Sequence, residues 1–199
     1  MVRLLFSILC LFSVASCAPA GADPKAAPAV EAKAVPAADA RAAVTASVKT
    51  IIVVRHAEAE KTQPGGDPTL TSDGRNRALE LARVLTDTQL HTVYTTHYQR
   101  NRLTAEPLPR HAGEKPTVID DVPAILRALR SEPWGATALV IGHSNTVPDL
   151  IRGLTGSALP EDEPIIFDRM WIVTLARDGT TSLLRLHYGA PVAPVAPTR

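Results

Sequence analysis

The sequence predicts an α/β domain with three α/β/α layers, a mostly parallel central sheet and an antiparallel C-terminal hairpin at the sheet edge. Two observations predict it. Short runs of branched apolar residues alternate along the chain with segments whose apolar residues recur at helical spacing. The last two apolar runs flank Arg177-Asp178-Gly179, a turn sequence that is typical of a β-hairpin.

The strands and helices follow one another in a regular order. The apolar run at 50–54 predicts the first strand, and 70–87 predicts a helix that Thr71 or Ser72 caps. Further on, the patterns predict a strand at 91–96, a helix at 99–108, a weak strand at 117–120 and a helix at 122–130. A strong strand at 137–144, a helix at 146–154 and hairpin strands at 170–176 and 181–188 complete the prediction.

Both ends of the chain differ in composition from this body. Residues 1–16 combine Arg3 with a short apolar stretch, which predicts a signal peptide. Residues 14–17 resemble a bacterial lipobox, whose cysteine, here Cys17, is lipidated. The Ala- and Pro-rich segment 17–48 is interpreted as a linker, 49–190 as the folded domain and 191–199 as a flexible tail.

These features predict an exported protein on the periplasmic side. Its membrane contact would be a lipid anchor only, and Ala18 after the cysteine favours the outer membrane. Ordinary signal cleavage after Ala18 or Ala20 is the alternative.

The chain of 199 residues has 21 Lys and Arg against 20 Asp and Glu, so no nucleic-acid partner is expected. The body has no cysteine and no metal-ligand spacing of histidines, so we expect neither a metal nor a cofactor. The oligomeric state is left open.

Polar pairs stand at the ends of two predicted strands. Arg55-His56 follows the first strand, and Gly142-His143 follows the apolar residues 138–141 (ALVI) of the strong strand. In open α/β sheets the ligand crevice lies at the carboxyl ends of parallel strands. A site is therefore expected there, although the strand order cannot be read from the sequence.

Four segments taken in order carry a resemblance to a known family. They are Arg55-His56, 70–78 (LTSDGRNRA), 94–107 (YTTHYQRNRLTAEP) and 140–146 (VIGHSNT). Together they resemble the histidine phosphatase, or phosphoglycerate mutase-like, superfamily, in a compact phosphatase-type member. The Ser-Pro that usually precedes the second arginine of that family is here Thr96-His97.

The resemblance implies roles for individual residues. His56 would be the nucleophile that becomes a phosphohistidine, and Arg55, Arg100 and His143 would bind the phosphoryl oxygens. Two further residues are candidates by their sequence position alone. Asn145, after His143, would donate to phosphate at a helix N-terminus or cap that helix. Glu58 lies close enough to His56 in sequence to line the pocket, and a solvated loop carboxylate is the alternative.

The leaving group needs a proton donor. The resemblance implies an acid after the third strand, where Asp121 fits better by position than Asp120, with Glu58 as a further alternative. The other histidines, His91, His97, His111 and His187, are interpreted as structural or surface residues.

The predicted activity is hydrolysis of phosphomonoesters or phosphohistidine. The partner would be a small phosphorylated substrate or a phosphoprotein, and the sequence does not say which. Two alternatives stay open. One is a non-catalytic phosphate-binding lipoprotein. The other is a serine hydrolase, because Ser144, Asp168 and His187 stand in the order of an α/β-hydrolase triad.

Overall fold

The computed structural model describes residues 47–63, 65–109 and 115–192. The predicted signal peptide, the predicted lipidation site Cys17, the linker up to residue 46, His111 and the tail from residue 193 lie outside these described residues. Within the described ranges, no helix is both long enough and apolar enough to cross a bilayer.

Six strands form one mixed sheet in the order β3-β2-β4-β1-β5-β6. The four strands β3, β2, β4 and β1 run parallel to one another. β5 is antiparallel to β1, and β6 is antiparallel to β5. The predicted fold class is thereby confirmed, including the terminal hairpin at one sheet edge. The strands are β1 (Val48–Arg55), β2 (Leu90–Thr95), β3 (Thr117–Val118), β4 (Thr137–Gly142), β5 (Arg169–Ala176) and β6 (Thr181–His187).

Both faces of β1 are buried, which explains its unbroken apolar run. Ile51 and Val53 pack against one cluster that includes helices α3 (Val122–Ser131) and α4 (Thr146–Thr155). Ile52 and Val54 face the opposite cluster, to which helices α1 (Ser72–Val84) and α2 (Gln99–Ala105) contribute. The helices therefore form one layer on each side of the sheet.

The helix ends follow local capping chemistry. Of the two candidates at the start of α1, Thr71 is the N-cap, and its Oγ1 accepts the backbone N–H of Gly74 at 3.0 Å. Gly74 also lets the chain after β1 approach closely, because a Cβ there would lie 2.0 Å from the Glu58 carbonyl oxygen. Helix α4 ends at Gly156, whose φ of 76° lies in the left-handed region.

The third strand is shorter than predicted. It spans Thr117–Val118 alone and pairs with β2 only, as expected for an edge strand. The chain leaves the sheet before Asp120 and Asp121, which were predicted to lie at or just beyond the strand end. This early departure decides where the two carboxylates lie.

Candidate active site

The strand order brings the two polar pairs together. β1 and β4 are parallel neighbours in which Arg55 pairs with Gly142, and the backbone N–H of His56 donates to the Gly142 carbonyl at 3.0 Å. His56 and His143 therefore leave adjacent strands at the same end of the sheet. Their rings lie 5.3 Å apart between centroids, at an angle of 64°.

His56 is a buried, neutral imidazole with a defined tautomer. Its Nδ1 lies 2.8 Å from the carbonyl oxygen of Ala57, which can only accept, so Nδ1 carries the hydrogen and Nε2 keeps its lone pair. Burial lowers the pKa of His56 to about 3, and the positive charge of Arg55 acts in the same direction. The side chain is thus held in the state that a nucleophile requires.

His143 is held by two contacts that also define its tautomer. Arg100 Nη2 lies 3.4 Å from Nδ1, and an arginine can only donate, so Nδ1 accepts. Nε2 then carries the hydrogen and donates to Thr96 Oγ1 at 3.1 Å. Burial, followed by the charge of Arg100, lowers the pKa of His143 to about 4. It is therefore a neutral hydrogen-bond donor at physiological pH.

Each of the two arginines stacks on an aromatic ring. The Arg55 guanidinium lies 4.0 Å from the ring centroid of Phe167, and its Nη1 donates to the Ile165 carbonyl at 2.9 Å. The Arg100 guanidinium lies 4.2 Å from the ring centroid of Tyr98. Such stacking restricts a long side chain to one orientation while leaving donors available for an anion.

A cavity of about 400 Å³ opens at this end of the sheet. Helix α4 begins at its wall with Asn145 as N-cap, and the Asn145 side chain makes no capping hydrogen bond. Thr146 Oγ1 accepts the backbone N–H of His143 at 2.8 Å, which fixes the turn between β4 and α4. A helix N-terminus adds partial positive charge to a site that already holds arginines. The lining residues are His56, Thr96, His97, Tyr98, Arg100, Asp120, His143, Ser144, Asn145 and Thr146.

The structure does not bring Asp121 into this cavity. Its carboxylate caps helix α3 by accepting the backbone N–H of Ala124 at 2.9 Å. Asp120 lines the cavity instead, and its Oδ1 lies 2.9 Å from both the backbone nitrogen and Nδ1 of His97. The backbone hydrogen bond from His97 is the main reason why the pKa of Asp120 is lowered.

His97 is a surface residue, as the sequence indicated, and it also lines the cavity. Its side chain is 58% exposed, yet it forms the ion pair with Asp120 beside the catalytic candidates. His97 and His143 line the same cavity.

Glu58 is engaged away from the cavity. Arg77, which is 5% exposed, donates from Nε and Nη2 to both Glu58 carboxylate oxygens at 2.7–2.9 Å. The same guanidinium donates to the carbonyl oxygens of Tyr188 and Ala190 at 3.1 and 3.0 Å. Glu58 therefore ties the chain after His56 to α1 and to the C-terminal segment.

The residues of the hydrolase alternative are only partly assembled. Asp168 Oδ2 accepts from His187 Nδ1 at 3.1 Å, as in the acid–base half of a triad. Ser144 lines the cavity with His143, and no hydrogen bond joins it to His187 within the described ranges. The geometry does not support a nucleophilic serine.

Several residues of the site were not singled out from the sequence. Tyr98 and Phe167 stack on the arginines, and Thr96 accepts from His143. Asn101, fully buried, donates to the Ile141 carbonyl at 2.7 Å and fixes α2 against β4. Thr96 occupies the position where the family pattern usually has serine, so the sequence could have singled it out. Phe167 lies far along the chain from Arg55 and carries no local signal.

Comparisons with known proteins agree with this geometry. The sequence model described as "Histidine phosphatase superfamily (branch 1)" matches residues 51–122. No curated protein matches the sequence significantly. No group of three or more His, Cys, Asp or Glu suited to a metal ion occurs in the part of the chain that the structure describes.

Solved structures share the fold at low sequence identity. The protein histidine phosphatase SixA complexed with tungstate is 20% identical, with a TM-score of 0.58 over 69% of this chain and 96% of that one. SixA from Nakamurella multipartitia is 22% identical, with a TM-score of 0.55 over 73% and 99% of the two chains. A mycobacterial glucosyl-3-phosphoglycerate phosphatase is 13% identical, with a TM-score of 0.56 over 72% and 100%.

The family match and the shared fold confirm the resemblance drawn from the four segments. The chain is similar to the histidine phosphatase superfamily in sequence over residues 51–122 and in its overall fold. This similarity supports phosphatase activity as the general class of its chemistry.

Proposed function

We propose that this protein hydrolyses phosphomonoesters or phosphohistidine through a covalent phosphohistidine on His56. The observation that carries the proposal is the state of that side chain. It is buried and neutral, its Nδ1–H is bound to Ala57, and its Nε2 lone pair is free in a ring that lines the cavity. A nucleophile of this kind divides one difficult displacement into two easier ones.

The surrounding donors match the needs of phosphoryl transfer. The transferred group carries charge on three oxygens, and catalysis consists mainly of positioning and of stabilising that charge. Arg100 and His143 line the cavity, and Arg55 directly precedes the cavity-lining His56 in the chain. Hydrogen bonds or stacking hold all three side chains. Because they are already oriented, little reorganisation is needed when phosphate binds.

The two candidate substrate classes differ in how their leaving groups obtain a proton. An ester oxygen needs a proton on departure, whereas the imidazole of phosphohistidine can carry a proton on its distal nitrogen before the reaction. The carboxylate at the cavity, Asp120, is held ionised by His97. Asp120 is therefore poorly suited to protonate the leaving oxygen of an ester by itself. For this reason phosphohistidine is kept as a candidate substrate together with the phosphomonoesters. SixA, one of the structural neighbours, is a protein histidine phosphatase by name.

Trapping the intermediate tests the proposal. The wild-type domain is mixed with radiolabelled phosphohistidine-bearing protein or aryl phosphate, quenched, and examined for an acid-labile, alkali-stable phosphoryl group on His56. His56→Asn should form no adduct and show no turnover. Arg100→Ala should lose about 10²–10³-fold in kcat/KM, since one donor to developing charge is worth about 3 kcal/mol. A wild-type protein that binds phosphate but never forms an adduct would favour the non-catalytic binding protein.

We further propose that the protein is exported and tethered by lipid on Cys17 to the outer membrane. The lipobox-like residues 14–17 support this placement. Mass spectrometry of the mature N-terminus tests it, and Cys17→Ser should prevent lipidation. A mature chain that begins at Pro19 or Gly21 would contradict the anchor while leaving the export intact.

A further inference from the structure

The leaving-group proton has no evident donor among the carboxylates of the described residues. Asp121 is occupied as the N-cap of α3, and Glu58 is bound by Arg77 on both oxygens. Asp120 lines the cavity but accepts two hydrogen bonds from His97, which favour its ionised form. A carboxylate in that state accepts a proton poorly and has none to give.

His97 has the geometry that the carboxylates lack. Asp120 Oδ1 only accepts, so the contact of 2.9 Å requires a hydrogen on Nδ1 of His97 and leaves Nε2 as the second site of protonation. Within the described part of the chain, no hydrogen-bond partner is found for Nε2. Imidazole is also the side chain that gains and loses a proton near neutral pH.

The position of His97 is fixed from two sides. Its backbone N–H donates to Asp120, and its ring packs against that of Tyr98 with centroids 4.1 Å apart. The charged and titratable groups that face the cavity with it are Asp120 from the β3–α3 connection, Arg100 from α2, and His56 and His143 from the ends of β1 and β4.

We propose that His97 is the acid that protonates the leaving group, with Asp120 as the positioning residue that orients its ring. The inference rests on the proposed function. It places the donor before α2, where the family pattern has Ser-Pro, rather than on the carboxylates that follow β3.

The two half-reactions balance through this residue. In the first, the His56 Nε2 lone pair forms the P–N bond, the P–O bond breaks, and the leaving oxygen takes the proton from His97 Nε2. In the second half-reaction, the oxygen of a water molecule attacks phosphorus while His97 Nε2 takes a proton from that water. The P–N bond breaks, and its electron pair returns to His56 Nε2. The net change is one ester and one water converted to one alcohol and one phosphate.

A pair of substrates that differ in leaving group tests the proposal. His97→Asn should lower kcat/KM for glycerol phosphate by about 10²–10⁴-fold, the usual contribution of general acid catalysis. It should change kcat/KM for p-nitrophenyl phosphate less than 3-fold, because nitrophenolate departs without a proton. His91→Asn, at the opposite end of β2, is the matched control and should change neither substrate. Equal losses on both substrates, or no loss on either, would overturn the assignment.

The same pair of substrates tests the positioning role of Asp120. Asp120→Ala should lower kcat/KM for glycerol phosphate and leave kcat/KM for p-nitrophenyl phosphate nearly unchanged, because the His97 ring loses the acceptor that orients it. A wild-type ratio of the two kcat/KM values in Asp120→Ala would contradict the positioning role. Both side chains are more than half exposed, so the variants should fold, and thermal unfolding checks this.

Failure of this inference is distinguishable from failure of the proposed function. A wild-type protein that forms no phosphoryl adduct with p-nitrophenyl phosphate contradicts the His56 mechanism itself. A wild type that forms the adduct, beside a His97→Asn variant with wild-type activity on both substrates, contradicts the role of His97 alone.

Discussion

Acid should destabilise this domain through its buried neutral histidine. The pKa of His56 is lowered to about 3 in the folded protein, whereas an unfolded chain has the ordinary value of about 6.5. Between these values the unfolded state binds a proton that the folded state does not. The free energy of unfolding therefore falls as the pH falls below about 6.5, and the loss continues until His56 itself protonates near pH 3.

The size of the effect follows from the two pKa values. At pH 5 the unfolded imidazole is almost fully protonated and the folded one almost fully neutral, so His56 costs about 2 kcal/mol of unfolding free energy relative to pH 8. His143, whose pKa is also lowered, acts in the same direction.

Urea unfolding at pH 5 and pH 8 measures this linkage in wild type and in His56→Asn. The variant should lose about 2 kcal/mol less than wild type over that interval, because its side chain does not titrate. His91→Asn serves as a surface control and should keep the wild-type pH dependence. If wild type and His56→Asn lose the same free energy, His56 is not a buried neutral imidazole and the account of the nucleophile is wrong.

Three further substitutions test the supports of the site. Arg77→Met should lower the free energy of unfolding by about 2–4 kcal/mol in urea titrations, because it removes the buried guanidinium that pairs with the partly buried Glu58; an effect below about 1 kcal/mol would show that the pair contributes little. Ser144→Ala should retain wild-type phosphatase activity, and an inactive, folded variant would revive the serine hydrolase. Phe167→Leu should lower kcat/KM for p-nitrophenyl phosphate several-fold by releasing the Arg55 guanidinium, with Phe167→Tyr restoring it through the same stacking, worth about 1 kcal/mol.

The strands and the positions of the main catalytic candidates were predictable because they depend on local pattern. A run of branched apolar residues can only be a strand buried on both faces, and the polar pair that ends it must leave the sheet at its carboxyl end. Arg55, His56 and His143 were found in this way. The hairpin likewise follows from the turn residues between its strands.

The positions and contacts of the carboxylates and of His97 were decided only by tertiary structure. Asp120 and Asp121 are adjacent in sequence, and which one faces the cavity depends on where the chain leaves β3. Asp121 caps a helix, whereas Asp120 meets His97, 23 residues earlier in the chain. No local pattern encodes that meeting.

Glu58 and Phe167 show the same limit. Glu58 lies two residues from His56, yet its carboxylate turns to the buried Arg77, because an unpaired carboxylate near the core would be costly. Phe167 reaches Arg55 only because β5 pairs with β1 across the sheet. The sequence by itself determined the elements and the place of His56 among them. The pairing of distant strands decided which charged side chains form ion pairs and which stay available to a phosphoryl group. The physical reason is that electrostatic partners depend on distance in space and not on separation along the chain.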